Sequence, residues 1–169
     1  MTAETVTTPT PIHLGLRQAF SLFPTGVVAV CALDDDGNPI GIPVNSFTSV
    51  SLDPPLVGIC VGRTSTTWPV LAGRARLGLS VLGADQGELC RSLASRGTSR
   101  FDGAAWQPSA YGAVMIEGAA LWLDCELRSS FDGGDHEVVL LEVMNSEIFA
   151  DVEPLVFHQS RFRELHPVA

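Results

Sequence analysis

The segment Asn45-Ser46-Phe47-Thr48-Ser49-Val50-Ser51 sets one amide and four hydroxyls in seven consecutive positions, inside a stretch that otherwise reads as a buried strand and its exit. Such groups, together with unpaired backbone N–H groups at a strand end, hold a polar heteroaromatic ring or a phosphate through directional hydrogen bonds without needing cations. The same pattern also suits an exposed edge strand whose serines and threonines face water, and spacing alone does not separate the two. Arg63-Thr64-Ser65-Thr66-Thr67 runs from a strand end into the start of a helix, where hydroxyls, a guanidinium and the positive end of the helix dipole converge on a space that suits an anion. Serine and threonine at such a point also serve as plain helix caps. Arg96 and Arg100, flanking Gly97-Thr98-Ser99, either add positive charge there or stand as solvated arginines. Gly133-Gly134-Asp135-His136 puts an imidazole at the head of a long strand behind a glycine turn, where backbone approaches a planar ligand closely. His136 there orients a substrate amide or phosphate, or is a partly exposed strand residue, and His13, His158 and His166 read as the latter.

Other chemistries are excluded by what the chain lacks. All ten of its basic residues are arginines, so it forms no Schiff base with pyridoxal phosphate and carries no phosphate-loop lysine. Cys31, Cys60, Cys90 and Cys125 lie about thirty residues apart, which gives no pair for zinc or dithiol exchange; they read as buried, reduced thiols, and no metal site is expected. No serine sits in a Gly-x-Ser-x-Gly elbow, and no Gly-x-Gly-x-x-Gly follows a predicted strand. A formal charge of −9 opposes sequence-independent binding to nucleic acid or anionic lipid, and neither is an expected partner. No apolar run approaches the ~20 residues that cross a bilayer, and the N-terminus lacks a signal-peptide pattern, so a cytoplasmic location is expected.

The elements that must position these residues follow from periodicity. At 169 residues the chain is one domain's worth. Threonine- and proline-rich residues 1–11 lack periodicity, and a mobile tail over 1–12 is expected ahead of a single domain over 13–169. Leu16, Ala19, Phe20 and Phe23 predict a helix stopped by Pro24-Thr25-Gly26. Residues 26–33 and 40–51 predict a hairpin about the turn at Gly37, and residues 56–61 a third strand. A short helix follows Thr67 with Pro69 in its first turn and Gly73 past its end. A strand over 76–82, a helix over 84–95 with Leu89 and Leu93 on one face, and a loop through Trp106 come next. Leu121, Leu123, Cys125 and Leu127 alternate with Trp122, Asp124, Glu126 and Arg128, which predicts a strand with one dry face. A turn over 131–135, a long strand over 136–148 and extended pieces near 155–158 and 162–165 complete the reading. Trp68, Trp106 and Trp122 read as packing residues. Strands that mostly follow one another directly favour a closed antiparallel barrel over a doubly wound sheet. Sparse charge on an apolar chain hints at a sizeable buried subunit interface.

The order of motifs resembles the flavin reductase-like split-barrel family, the reductase components of two-component flavin-dependent monooxygenases. The resemblance spans residues 16–165 and lies in Phe23-Pro24-Thr25-Gly26-Val27, the run from Asn45 through Ser51 with Leu52-Asp53-Pro54-Pro55-Leu56 after it, Ser80-Val81-Leu82, Arg100-Phe101 and Gly134-Asp135-His136. It implies a mainly β, antiparallel split β-barrel of the FMN-binding type, with two or three flanking helices and a homodimeric assembly.

By the same resemblance a flavin, FMN or FAD, lies in a groove at the subunit interface with its ring against Asn45, Ser46, Phe47, Thr48, Ser49, Val50 and Ser51. Thr25 and Gly26 would lie near the ring, Ser65 and Thr66 with Arg100 near the ribityl phosphate, and Phe101 among the cofactor-binding residues. His136 takes the catalytic position as the group that orients the nicotinamide of NADH or NADPH. The implied activity is an NAD(P)H:flavin oxidoreductase that passes a hydride to flavin and supplies reduced flavin to a partner monooxygenase; no general acid or base is needed, because the flavin does the chemistry. The alternatives are a split barrel that holds flavin tightly as an oxidase or as a non-catalytic flavin-binding protein, with NAD(P)H unused, and a non-catalytic dimer whose pocket is empty or holds another planar ligand. Three departures from the family pattern stand out. Pro43 replaces a usual threonine, Phe157 replaces a frequent tyrosine, and Gln159-Ser160 replaces a glycine-containing turn.

Overall fold

The computed structural model describes residues 12–97 and 99–166. The expected tail lies outside the described residues except for Ile12, where α1 (Ile12–Phe20) opens. Next come β1 (Thr25–Gly26), β2 (Val28–Leu33), β3 (Pro39–Val44), β4 (Thr48–Leu52) and β5 (Pro55–Gly62). α2 (Trp68–Ala72), β6 (Leu77–Val81) and α3 (Gly87–Ala94) follow, then β7 (Trp106–Pro108) and β8 (Val114–Ile116). The chain closes with β9 (Leu121–Gly133), β10 (His136–Ile148), β11 (Val156–His158) and β12 (Arg161–Arg163).

Seven strands form one antiparallel sheet in the order β3-β2-β6-β9-β10-β5-β4. β3 and β4 stand at its opposite edges although only residues 45–47 join them, a reach of roughly 3.5 Å per residue. The sheet must therefore curl until its edges almost meet, which makes a barrel. Ser46 spans the remaining seam. Its Oγ accepts the Cys60 N–H at 2.8 Å and donates to the Cys60 carbonyl at 2.9 Å, standing in for a ladder partner where pairing of β5 with β4 has stopped at Gly58. Residues 40–51 were expected to run as one extended piece. The polar step at Asn45-Ser46 breaks it and sends the two halves to opposite edges.

Two cores result. Val28, Val30, Ile59, Leu77, Leu79, Leu123 and Leu141 fill the barrel with Trp68 and Leu71 from α2, while Ala29, Cys31, Leu82, Leu93, Val114 and Ile116 pack between its outer face and α3, β8 and Leu155. β2 is thus buried on both faces, so its sequence reads as continuously apolar rather than alternating.

The expected loop through Trp106 instead holds the hairpin β7–β8. β8 lies so close over Gly78 that a Cβ there would sit 2.1 Å from the Val114 carbonyl oxygen, and Ser80 Oγ accepts the Ile116 N–H at 2.9 Å. That cover changes the exposure of β9. Asp124, opposite Gly78, was expected to face water but is 8% exposed and paired with Arg76 at 3.1 Å. Pairing of β9 with β10 continues to Gly133, two residues past the expected start of the turn, leaving a two-residue loop whose first member, Gly134, has φ +83°. Glycine at that position gives the primed turn that matches the twist of the strands.

Candidate active site

A groove of about 430 Å³ opens at the barrel seam. β3 and its exit bring Pro43, Val44, Asn45 and Ser46 to one wall, and the end of β5 brings Cys60, Val61 and Gly62 to the floor. Thr64, Ser65, Thr66 and Thr67 lie between β5 and α2, the end of α3 supplies Ala94, Ser95 and Arg96, and Arg100 and His136 complete the lining. Residues far apart in the chain meet here because the two sheet edges do.

Of the residues singled out in the sequence, Asn45, Ser46, Ser65, Thr66, Arg100 and His136 are brought together in this groove. Ser46 also closes the seam, and Ser65 Oγ accepts the N–H of Trp68, the first residue of α2, at 3.1 Å while keeping its own hydroxyl proton to donate. α2 has only five residues, so hydroxyls and arginines rather than a helix dipole give the groove its affinity for anions. Arg100 donates to Thr67 Oγ1 at 2.9 Å and to the Gly41 carbonyl at 3.3 Å. Arg63 turns away: its N–H and Nε donate to the Asp135 and Gly134 carbonyls at 3.0 and 2.9 Å, and its guanidinium pairs with Asp132 at 2.9 Å.

His136 is steered by that same turn. Its Nδ1 lies 2.7 Å from Asp135 Oδ1, and its Nε2 lies over Gly62, 3.7 Å from where a Cβ would stand. With Nδ1–H of the neutral ring donating to the carboxylate, Nε2 is left free to accept over the groove floor. The hydrogen bond to His136 holds the Asp135 carboxyl below the usual carboxylate range, and the Gly134 N–H, with Arg63, does the same for Asp132.

The remaining expected site residues lie elsewhere. Thr48, Ser49, Val50 and Ser51 form the edge strand β4, where all but Ser51 are exposed. Phe47 packs against the barrel core. Phe101 packs against the second core behind Gly41 and lines a separate cavity. Thr25 and Gly26 pair with Phe157 and Val156. Phe157 and Phe162 line an apolar slot of about 310 Å³ that shares Pro43, Val44, Asn45 and Ala94 with the groove. Pro43 is tolerated because β3 is an edge strand, and it gives both spaces an apolar wall. Gln159 and Ser160, at φ 52° and 59°, make the β11–β12 turn without glycine. Ser95 and Cys60 are lining residues that the sequence reading passed over, whereas Thr67, placed there in the hydroxyl run after Arg63, lines the groove and takes the Arg100 hydrogen bond that no local pattern signals.

An apolar slot beside a hydroxyl-, amide- and guanidinium-lined trough suits a flavin nucleotide. Two buried polar atoms lack a hydrogen-bond partner among the described residues, Thr25 Oγ1 and Arg100 Nε, and both belong to residues expected to face a flavin. Such orphaned donors are costly unless something pairs with them. Among the described residues no group of His, Cys, Asp or Glu is gathered for a metal, and no helix is long and apolar enough to cross a membrane.

Comparison with known proteins agrees with this chemistry. A flavin reductase of Pseudomonas putida is 37% identical over 146 residues, covering 86% of each chain. The reductase subunit of a flavin-dependent monooxygenase from Rhodococcus jostii is 32% identical over 89% of this chain and 77% of its own. The NADH:FAD oxidoreductase of Streptomyces globisporus, solved with NAD and FAD fragments, superposes with a TM-score of 0.87 at 37% identity, over 93% of this chain and 94% of that one. The model of the flavin reductase like domain matches residues 20–166, which take in the barrel, the seam and every lining residue of the groove, and the chain belongs to that family.

Proposed function

We propose that this protein is an NAD(P)H:flavin oxidoreductase that works as a homodimer and passes reduced flavin to a partner monooxygenase. The observation that carries this reading is the convergence of Asn45, Ser65, Thr66, Arg100 and His136 on one groove beside an apolar slot. A flavin, when bound, supplies the ring that accepts the hydride of the nicotinamide. The chain's own residues bind and orient. Asn45 and the Ser65 and Thr66 hydroxyls give hydrogen bonds of fixed direction, Arg96 and Arg100 neutralise a phosphate, and Pro43, Phe157 and Phe162 offer apolar surface. His136, its ring held by Asp135, presents Nε2 to the nicotinamide amide. Orientation of two rings supplies the rate enhancement, and no acid–base pair is required of the protein.

The test is anaerobic mixing of the protein with NADH or NADPH and FMN or FAD, following the oxidised flavin band. Loss of that band at a protein-dependent rate is expected. Flavin that stays oxidised with both nicotinamides would overturn the reading.

A further inference from the structure

Consecutive residues at the head of β10 serve opposite faces of the sheet. His136 stands over Gly62 on the groove side, whereas Glu137 lies opposite Val61 in the ladder, on the face where Val61, Val139 and Leu141 fill the barrel. A carboxylate on an apolar face is costly unless something pairs with it. Among the described residues no basic side chain forms an ion pair with Glu137. Its partner is an indole: Trp68 Nε1 donates to Glu137 Oε2 at 2.8 Å, from a side chain only 6% exposed. Trp68, expected as a packing residue, therefore packs and is also tied to β10 by a charge-assisted bond.

That tie matters outside the core because of where Trp68 sits in the chain. It opens α2, whose five residues are too few to hold a helix by themselves, so α2 is placed by what its side chains grip. The backbone N–H of Trp68 donates to Ser65 Oγ at 3.1 Å, and Thr67, immediately before it, accepts the Arg100 guanidinium at 2.9 Å. A shift of the indole is thereby passed to the Ser65 and Thr67 hydroxyls and, through Thr67, to Arg100, all of which line the groove. Glu137 itself does not line it.

We infer that Glu137 is a positioning residue for anion recognition: by holding the Trp68 indole, it sets the Ser65 and Thr67 hydroxyls and Arg100 against the phosphate of a flavin nucleotide. This rests on the flavin reading above. The test is fluorescence titration of the wild type, Glu137→Leu, Trp68→Phe and the double variant with FMN and with riboflavin, which carries the same ring and no phosphate. The wild type is expected to bind FMN about tenfold or more tightly than riboflavin. Each single variant should lose about tenfold in FMN affinity while riboflavin stays within about twofold, and the double variant should lose no more than either, since both changes break one bond. Glu137→Gln keeps an oxygen acceptor for the indole and should hold FMN within about threefold of the wild type. Trp68→Phe keeps an aromatic ring in the core and decides the matter if Glu137→Leu does not fold. Losses shared by both flavins, which a purely structural role would give, overturn the inference. So do equal affinities of the wild type for FMN and riboflavin, an unmoved FMN affinity, additive losses in the double variant, or a Glu137→Gln variant as weak as Glu137→Leu. A wild type that binds neither flavin would instead overturn the underlying flavin reading.

Discussion

His136 gains its place from its neighbours rather than from its own strand position. Asp135 fixes the Nδ1 side of the ring, and Arg63 ties the Gly134-Asp135 loop to the end of β5, so the imidazole stays over Gly62. Its loss should therefore weaken the nicotinamide and spare the flavin. For His136→Ala, one hydrogen bond of about 1–1.5 kcal/mol predicts a KM for NADH raised about tenfold, with flavin affinity within about twofold. Steady-state kinetics beside flavin titration checks this, and an unchanged KM would remove His136 from the site. Asn45, Ser46 and His136 were legible in the sequence because each is polar where pattern calls for apolar or turn residues. The contrast between Arg63, spent on a turn, and Arg100, aimed into the groove, was not legible. Both arginines follow strand or helix ends, and only the fold decides which carboxylate or carbonyl meets each.

At the scale of elements, Ser46 clasps the seam between β3 and β5 with two hydrogen bonds from one hydroxyl. Ser46→Ala would leave both the N–H and the carbonyl of Cys60 without that partner. A loss of about 1–3 kcal/mol is expected, read as a Tm lower by roughly 3–10 °C, with Ser46→Thr recovering much of it. An unchanged Tm in Ser46→Ala would mean that the edges are held by their flanking strands alone. The hairpin β9–β10 was readable because glycine at the turn and period-two alternation agree with each other. The pair β7–β8 was not, since strands of three residues, one ending in proline, carry too little periodicity. Asp124 misled for a related reason: alternation reports which residues share a face, whereas β8 decides whether that face is wet.

For the molecule as a whole, one protomer leaves much apolar surface uncovered. Phe20, Phe23, Leu52 and Ile148 are 70%, 74%, 95% and 75% exposed, and Val50 shares the edge strand of Leu52. Charged residues are 17% of the chain, below the roughly 25% usual for soluble domains, so few charges are available to break such patches up. An open β-edge bearing apolar side chains is a surface that natural proteins cover. A second copy of the chain seated on β4 would account for both facts, and it would give Thr48, Ser49 and Ser51 a wall of the groove to line rather than water. Leu52→Glu tests this, because a side chain so exposed contributes little to the fold of its own protomer. The wild type is expected to elute with twice the 18.0 kDa protomer mass and the variant with the mass of one protomer, still folded and with weakened flavin affinity. A wild type that already runs as a single protomer would show that the flavin site is built from one chain, and Ser49 and Ser51 would then be ordinary residues of a solvated edge.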